Sequence, residues 1–225
     1  MRYYPVNLDI RGRHCLVVGG GRVGARKVKT LVDCGAVVTV VSPAIVPSIA
    51  KLAESRTIGL KKRPYQTTDL EGMFLVIGAT DDEMLNRRIH ADAEQQNMLC
   101  NIADRPEICN FTLPAIVRRG DFLMAISTAG KSPAFAKHMR KQLETQFGPE
   151  YGVLLDLMGA IRRQLLAEAH EPEAHKPLFE SLIAGDLLAL VKANDIARID
   201  QLLQRVLGPG YGYHQLMPDN PNAGE

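Results

Sequence analysis

The sequence predicts an α/β fold, with a doubly wound parallel sheet first and an all-helical C-terminal region after it. Three observations predict it. Short apolar runs alternate with helix-like segments from Cys15 to Ile102, each run bounded by turn residues. A glycine-rich loop, "GGGRVG" at Gly19–Gly24, follows the first run at once and opens the first helix. Beyond Phe111 the alternation ends, and from Glu150 to about Leu207 leucines and isoleucines recur at helical spacing.

Taken in order, Cys15–Val18 reads as a strand buried on both faces, because it is continuously apolar between "RGRH" and the glycines. The helix after the loop has Val28, Leu31 and Val32 on one face and Gly35 as its left-handed stop. Val37–Val41 is the second strand, with Pro43 expected to end it, and "AIVPSIAKLAESR" is helix-like. Ile58–Lys62 is a weaker, exposed strand candidate, and Phe74–Ile77 a strong one. Asp81 or Asp82 can cap a helix over Glu83–Gln96 whose stripe includes Leu85, Ile89 and Ala93. Met98–Ile102 is the fifth strand. Right-handed crossovers then wind the chain over both sheet faces.

The second half begins with two strand-like pieces around "RRGD". A helix follows, with Ser132 as N-cap, Pro133 in the first position, Gly148 as terminator, and Phe135, Met139 and Leu143 as its apolar seam. In the helical region Leu154, Leu157, Met158, Ile161 and Leu165 share a face, and Pro172 and Pro177 are expected to break the run. The tail "HQLMPDNPNAGE" is polar and rich in proline, and residues 211–225 are expected to be disordered.

Composition narrows the function. The 225 residues are 46% hydrophobic and 23% charged with a net charge of +2, too balanced to give the basic footprint of a nucleic-acid partner. Cys15, Cys34, Cys100 and Cys109 lie in or beside apolar runs with no C-x-x-C spacing, which reads as buried reduced thiols. "MRYYPVNLDIRGRH" has no apolar signal core, and no apolar run approaches the ~18 residues of a membrane span, so a cytoplasmic location without a membrane partner is expected.

The glycine loop fits G-x-G-x-x-G at Gly19, Gly21 and Gly24, between a strand and a helix. Gly19 allows the tight turn, Gly21 lets the backbone approach a pyrophosphate, and Gly24 lets helix and strand pack closely. The pyrophosphate then meets free N–H groups and the helix dipole. The acidic residue that usually holds the ribose at the end of the second strand is missing. Ser42 stands there as a weaker ribose partner, and Arg22 is close in sequence to the loop. NAD is the expected cofactor.

In such a sheet the ligand lies over the carboxyl ends of the strands. Besides the loop, "GATDD" with Thr80 and "NIADRP" with Asp104 point there. A carboxylate at Asp104 can accept a proton while a hydride leaves. It could equally cap the turn before Pro106.

Several stretches together resemble the precorrin-2 dehydrogenase family, which also forms the N-terminal part of siroheme synthase. They are "YYPVNLDIRGRHCLVVGGGRVGARKV", "LVIGATDDEMLNRRI" and "LCNIADRPEICNFTLPAIVRRGDFLMAISTAGKSPAFAKHMRKQLE", followed by a helical C-terminus. The likeness runs to about residue 207. It implies a Rossmann domain over 1–112, a dimerisation and substrate segment over 113–148 and a helical domain over 149–210, assembled as an intertwined homodimer. It implies NAD-dependent oxidation of precorrin-2 to sirohydrochlorin, and in some members insertion of ferrous iron. It puts the catalytic aspartate of a CN-x-x-D motif at Asp104 and cofactor contacts at Gly21, Arg22, Val23, Pro43 and Ala44. Where some members read "SSGG", this chain has Ser127, Thr128, Ala129 and Gly130, which implies substrate contacts at Ser127 and Thr128. No uroporphyrinogen methyltransferase domain, as in fused members, is expected here.

A tetrapyrrole bearing many carboxylates suits this chain. Lys131 precedes a helix N-terminus at Ser132, and Lys137, His138, Arg140 and Lys141 follow on that helix. Lys131, Ser132 and His138 are the substrate candidates. Glu168, His170, Glu171, Glu173 and His175 cluster in sequence around a proline-bearing connection and are not expected to hold a metal. If iron is inserted, Asp104 or His138 is the candidate base or ligand. The apolar surplus of the helical half and the strand edges of Phe111–Ser127 also point to a C2 homodimer. The competing class is a nucleotide-sensing regulatory module, which needs the glycine loop but neither a positioned base nor a basic cleft.

Overall fold

The computed structural model describes residues 3–168 and 172–218, without the side chains of 172–174. The chain divides into two units, residues 1–113 and 114–225.

The first unit is built from β1 (His14–Gly20), α1 (Arg22–Asp33), β2 (Val37–Ile45), α2 (Pro47–Glu54), β3 (Gly59–Lys61), β4 (Leu75–Gly78), α3 (Glu83–Gln95) and β5 (Leu99–Ile102). The strands form one parallel sheet in the order β3-β2-β1-β4-β5. Both faces are covered, which is why the strands are apolar at successive positions. Cys15, Val17, Val38, Val40, Leu75 and Ile77 face Val28 and Leu31 of α1 and Ile49 of α2. Leu16, Val18, Val41, Val76, Cys100 and Ile102 face Ile89 and Ala93 of α3, with Tyr65 and Leu70.

Two local features place the chain for the site. Gly35, at φ +77°, ends α1, and its N–H bonds the Val32 carbonyl at 2.8 Å while Ala36 N–H bonds the Leu31 carbonyl at 3.1 Å. These are the paired bonds of a Schellman stop, which turns the chain straight into β2. Asp82 caps α3, its Oδ1 accepting the Leu85 N–H at 3.0 Å.

One boundary differs from expectation. Pro43 does not end β2, which runs to Ile45. The β1–β2 register slips between Val18 and Gly20, so a residue without an N–H is tolerated at the slip.

The second unit opens with the antiparallel hairpin β6 (Ala115–Arg119) and β7 (Phe122–Ile126). Then come α4 (Pro133–Gln146), α5 (Glu150–Ala167), α6 (Pro172–Ala184), α7 (Leu187–Lys192), α8 (Ile196–Leu207) and α9 (Tyr213–Leu216). Leu157, Ile161, Leu165, Leu182, Leu187, Ile199, Leu202 and Leu203 make its core.

Three expectations change here. Pro177 lies inside α6 rather than breaking it, because packing of Leu178 and Leu182 into the core outweighs the lost N–H. Phe135 of α4 is 55% exposed, and Ala136 is the buried residue of that turn. The tail expected to lack structure is ordered as far as it is described. Tyr211, Tyr213 and Leu216 are buried in the helical core, where aromatic area outweighs the polar residues between them. Residues 219–225 lie outside the described residues, as do His170 and Glu171.

Cys15 and Cys100 are buried and Cys109 half-buried, but Cys34 is exposed, because it sits at the C-cap of α1 rather than on its apolar face. All four are free. Among the described residues no helix is long and apolar enough to cross a membrane.

Candidate active site

The glycine loop separates packing from ligand approach. A Cβ on Gly19 would stand 2.3 Å from the Ala79 carbonyl oxygen, and one on Gly24 would stand 2.1 Å from that of Gly19. A Cβ on Gly20 would meet the Ala44 carbonyl oxygen at 2.3 Å. These glycines let β1, β2, β4 and α1 touch. Gly21 differs: nothing lies within 4 Å of a Cβ placed there. It is the N-cap of α1 and supplies no side-chain cap, so the first N–H groups of the helix, from Arg22, Val23 and Gly24, have no intrahelical acceptor. An open approach over free donors suits a pyrophosphate, so the loop fits a dinucleotide.

Ser42 is placed otherwise than a ribose partner. It is buried, its Oγ accepts the Gly20 N–H at 3.0 Å, and it donates to the Ala44 carbonyl at 2.6 Å. The hydroxyl replaces the ladder bond lost at the register slip. Pro43 and Ala44 follow it at the carboxyl end of β2, both outside the core.

Thr80 is similarly engaged. Its Oγ1 lies 3.2 Å from the Asp82 carbonyl and from Asn86 Oδ1, and the buried Asn86 donates to the Thr80 carbonyl at 3.0 Å. Asn86 thus ties the β4–α3 loop to its helix.

Neighbouring strand ends are stitched together at the same edge. Ala79 N–H donates to Val18 O at 2.7 Å, and Ala103 N–H to Gly78 O at 2.8 Å. The next residue is Asp104, exposed and in the left-handed region at φ +60°. Such a conformation is uncommon outside glycine, though Asp and Asn tolerate it best. Lys27 of α1 is in electrostatic reach. Burial and the charge of Arg26 push its ammonium below the usual lysine range, and the charge of Asp104 pulls it back up.

Past Asp104 a 3₁₀ turn (Pro106–Ile108) leads the chain back along the free edge of β5. Arg105 pairs with Glu83 at 3.0 Å. Cys109 Sγ accepts the Ile102 N–H at 3.1 Å, and Asn110 Oδ1 accepts that of Cys100 at 2.8 Å.

In the second unit, Ser127, Thr128, Lys131 and Ser132 form the loop between β7 and α4. Ser127 Oγ accepts the Ala129 N–H at 3.2 Å, Thr128 Oγ1 the Ser132 N–H at 3.3 Å, and Ser132 Oγ the Phe135 N–H at 3.1 Å. Ala129 and Gly130 both have positive φ, +53° and +81°. The loop is thus a tight double turn that leaves Lys131 exposed, with His138 exposed farther along α4. Arg119 is a structural cation, its guanidinium donating to the Glu144 and Phe147 carbonyls at the end of α4, each at 2.9 Å.

Comparison with known proteins fits this arrangement. Residues 6–115 match the family described as "Putative NAD(P)-binding", and residues 123–146, from β7 through α4, match "Sirohaem biosynthesis protein central". The siroheme synthases of Methylococcus capsulatus and Vesicomyosocius okutanii are 35% and 34% identical over 88% and 92% of this chain. The chain spans only 43% and 44% of their lengths. A solved structure titled "SirC, precorrin-2 dehydrogenase" superposes with a TM-score of 0.77 at 26% identity, covering 91% of this chain and 98% of that one.

The chain is thus similar to precorrin-2 dehydrogenases and to siroheme synthases.

Its NAD(P)-binding match covers the first unit from Val6 onward, including the glycine loop and the Asp104 turn. Sequence reasoning missed Lys27, Asn86, Cys109 and Asn110, all of which bear on the site. Lys27 reads as a surface cation on a helix. Cys109 reads only as a buried thiol, and the return of the chain along β5 reveals its work and that of Asn110. Among the described residues no group of three or more His, Cys, Asp or Glu is placed to hold a metal ion.

Proposed function

We propose that the chain oxidises precorrin-2 to sirohydrochlorin with NAD. The observation that carries this is the Asp104 turn, presented at the carboxyl edge of the sheet next to the strand end that abuts the glycine loop. Gly21 and the free N–H groups of α1 hold the pyrophosphate, and Arg22 and Val23 flank it. Pro43 and Ala44 border the adenosine side. Bound NAD supplies the hydride acceptor. The substrate loses two hydrogens, one as hydride and one as a proton, and Asp104 takes the proton.

NAD rather than NADP is supported by the charges beyond β2. Lys61 and Arg63, on and just after the neighbouring strand, are both engaged by the buried Asp69, at 2.8 Å and 2.6 Å, which leaves neither free for a 2′-phosphate. We assign recognition of substrate carboxylates to Thr128, Lys131 and Ser132, with Ser127 and His138 beside them, and the assembly to a cytoplasmic homodimer.

Anaerobic incubation with precorrin-2 and NAD tests the proposal. It expects the sirohydrochlorin absorbance to appear together with NADH. NAD binding without turnover would leave a nucleotide-binding module instead.

A further inference from the structure

We propose that Cys109 is the positioning residue that sets the Asp104 turn. The inference rests on the reading of Asp104 as the proton acceptor.

The Asp104 carboxylate makes no hydrogen bond or ion pair among the described residues, so its direction is set through its backbone. That backbone is in a left-handed conformation, at φ +60°, which costs roughly 1–2 kcal/mol for a residue with a Cβ and must be held by its surroundings. The turn is closed by one long backbone bond, Arg105 N–H to Ile102 O at 3.3 Å. Cys109 closes it a second time. Its sulfur accepts the Ile102 N–H at 3.1 Å on one arm and lies 3.1 Å from the Arg105 carbonyl oxygen on the other. The Ile102 carbonyl, at 3.3 Å, is its second acceptor. Burial pushes the Cys109 thiol up, so it keeps its proton at neutral pH and donates while it accepts. Among the described residues no other side chain bridges both arms. Asn110 binds Cys100 and Met98, below the turn, at 2.8 Å each. The Arg105–Glu83 pair is about half exposed on both sides and worth little.

Small displacements of a reacting group are expensive, up to about a hundredfold for ~1 Å. Anaerobic turnover of precorrin-2 by Cys109→Ala is expected to fall roughly tenfold or more, with NAD affinity within about twofold of the parent. Cys109→Ser keeps a donor and an acceptor at the same place and is expected to recover most of the loss. If the alanine variant is unstable, Cys109→Val, closer in volume, replaces it. The decisive comparison is the same change in an Asp104→Asn background. A residue acting through Asp104 has little left to lose there, so the two losses should not multiply. Parental turnover in Cys109→Ala, or an equal loss in both backgrounds, overturns the proposal. Parental turnover in Asp104→Asn alone overturns the reading of Asp104 itself, a separate result.

Discussion

The hydroxyl of Ser42 accepts the backbone N–H of Gly20 at 3.0 Å, across the point where β1 and β2 slip out of register. A side chain that looks like a ribose ligand in sequence is a brace for the glycine loop. Ser42→Ala leaves the Gly20 N–H and the Ala44 carbonyl without this partner, a loss of roughly 1–3 kcal/mol for buried groups. We expect a lower melting temperature together with weaker NAD binding by calorimetry. Weaker binding at unchanged stability would return Ser42 to direct ribose contact.

The loop glycines should separate by function. Gly21→Asp puts a carboxylate where nothing lies within 4 Å, so the fold should survive while NAD binding is lost to charge repulsion. Gly24→Ala instead drives a Cβ to 2.1 Å from the Gly19 oxygen and should destabilise the first unit itself. Circular dichroism melts beside NAD titrations distinguish the two, and a cold-stable Gly24→Ala with intact binding would contradict the assignment.

The alternation of strands and helices, the glycine loop, the Ser132 cap and a cap at Asp81 or Asp82 were legible because each is local: an apolar run, a turn residue, a capping residue at fixed spacing. The course of β2 past Pro43 was not, since it depends on a slip against β1 that only pairing reveals. Pro177 misled for a similar reason, because core packing of Leu178 and Leu182 overrides a local breaker. Of the site, Asp104 and Gly21 could be read from position in the motif. Cys109 could not, because its partners Ile102 and Arg105 meet it only after the chain doubles back.

Asp69 should make the first unit acid-sensitive. Burial raises its carboxyl, but hydrogen bonds from Arg63, Lys61 and the Gln66 N–H outweigh that and hold it well below the usual carboxylate range. A carboxylate depressed on folding stabilises the fold at neutral pH. That contribution begins to fade below about pH 4, where the unfolded side chain protonates, and is gone once the pH passes the folded value. Asp69→Asn is expected to cost roughly 1–3 kcal/mol at pH 7, less than for a fully buried pair because Lys61 and Arg63 keep part of their hydration. The difference from the parent should shrink towards pH 3 in urea melts. A constant difference across pH would show that the loss of a hydrogen-bond acceptor, not of charge, matters there.

The hairpin of the second unit carries Ile116 and Leu123 on its outer face, 40% and 43% exposed. In the proposed homodimer this face and the open strand edges are covered. Light scattering at micromolar concentration should give a dimer, and Leu123→Asp a monomer or a much weaker dimer. A monomeric parent would remove the dimer from the account.

The central claim is that Asp104 takes the proton, and Asp104→Asn tests it most directly. Asn tolerates the left-handed turn as well as Asp does, so the geometry at φ +60° should persist. A positioned base is typically worth ~10²–10⁴-fold. Single-turnover oxidation of precorrin-2 with saturating NAD, under anaerobic conditions, should therefore slow by at least about a hundredfold, with folding and NAD affinity near those of the parent. An asparagine variant that oxidises precorrin-2 at close to the parental rate would make Asp104 a turn residue and nothing more.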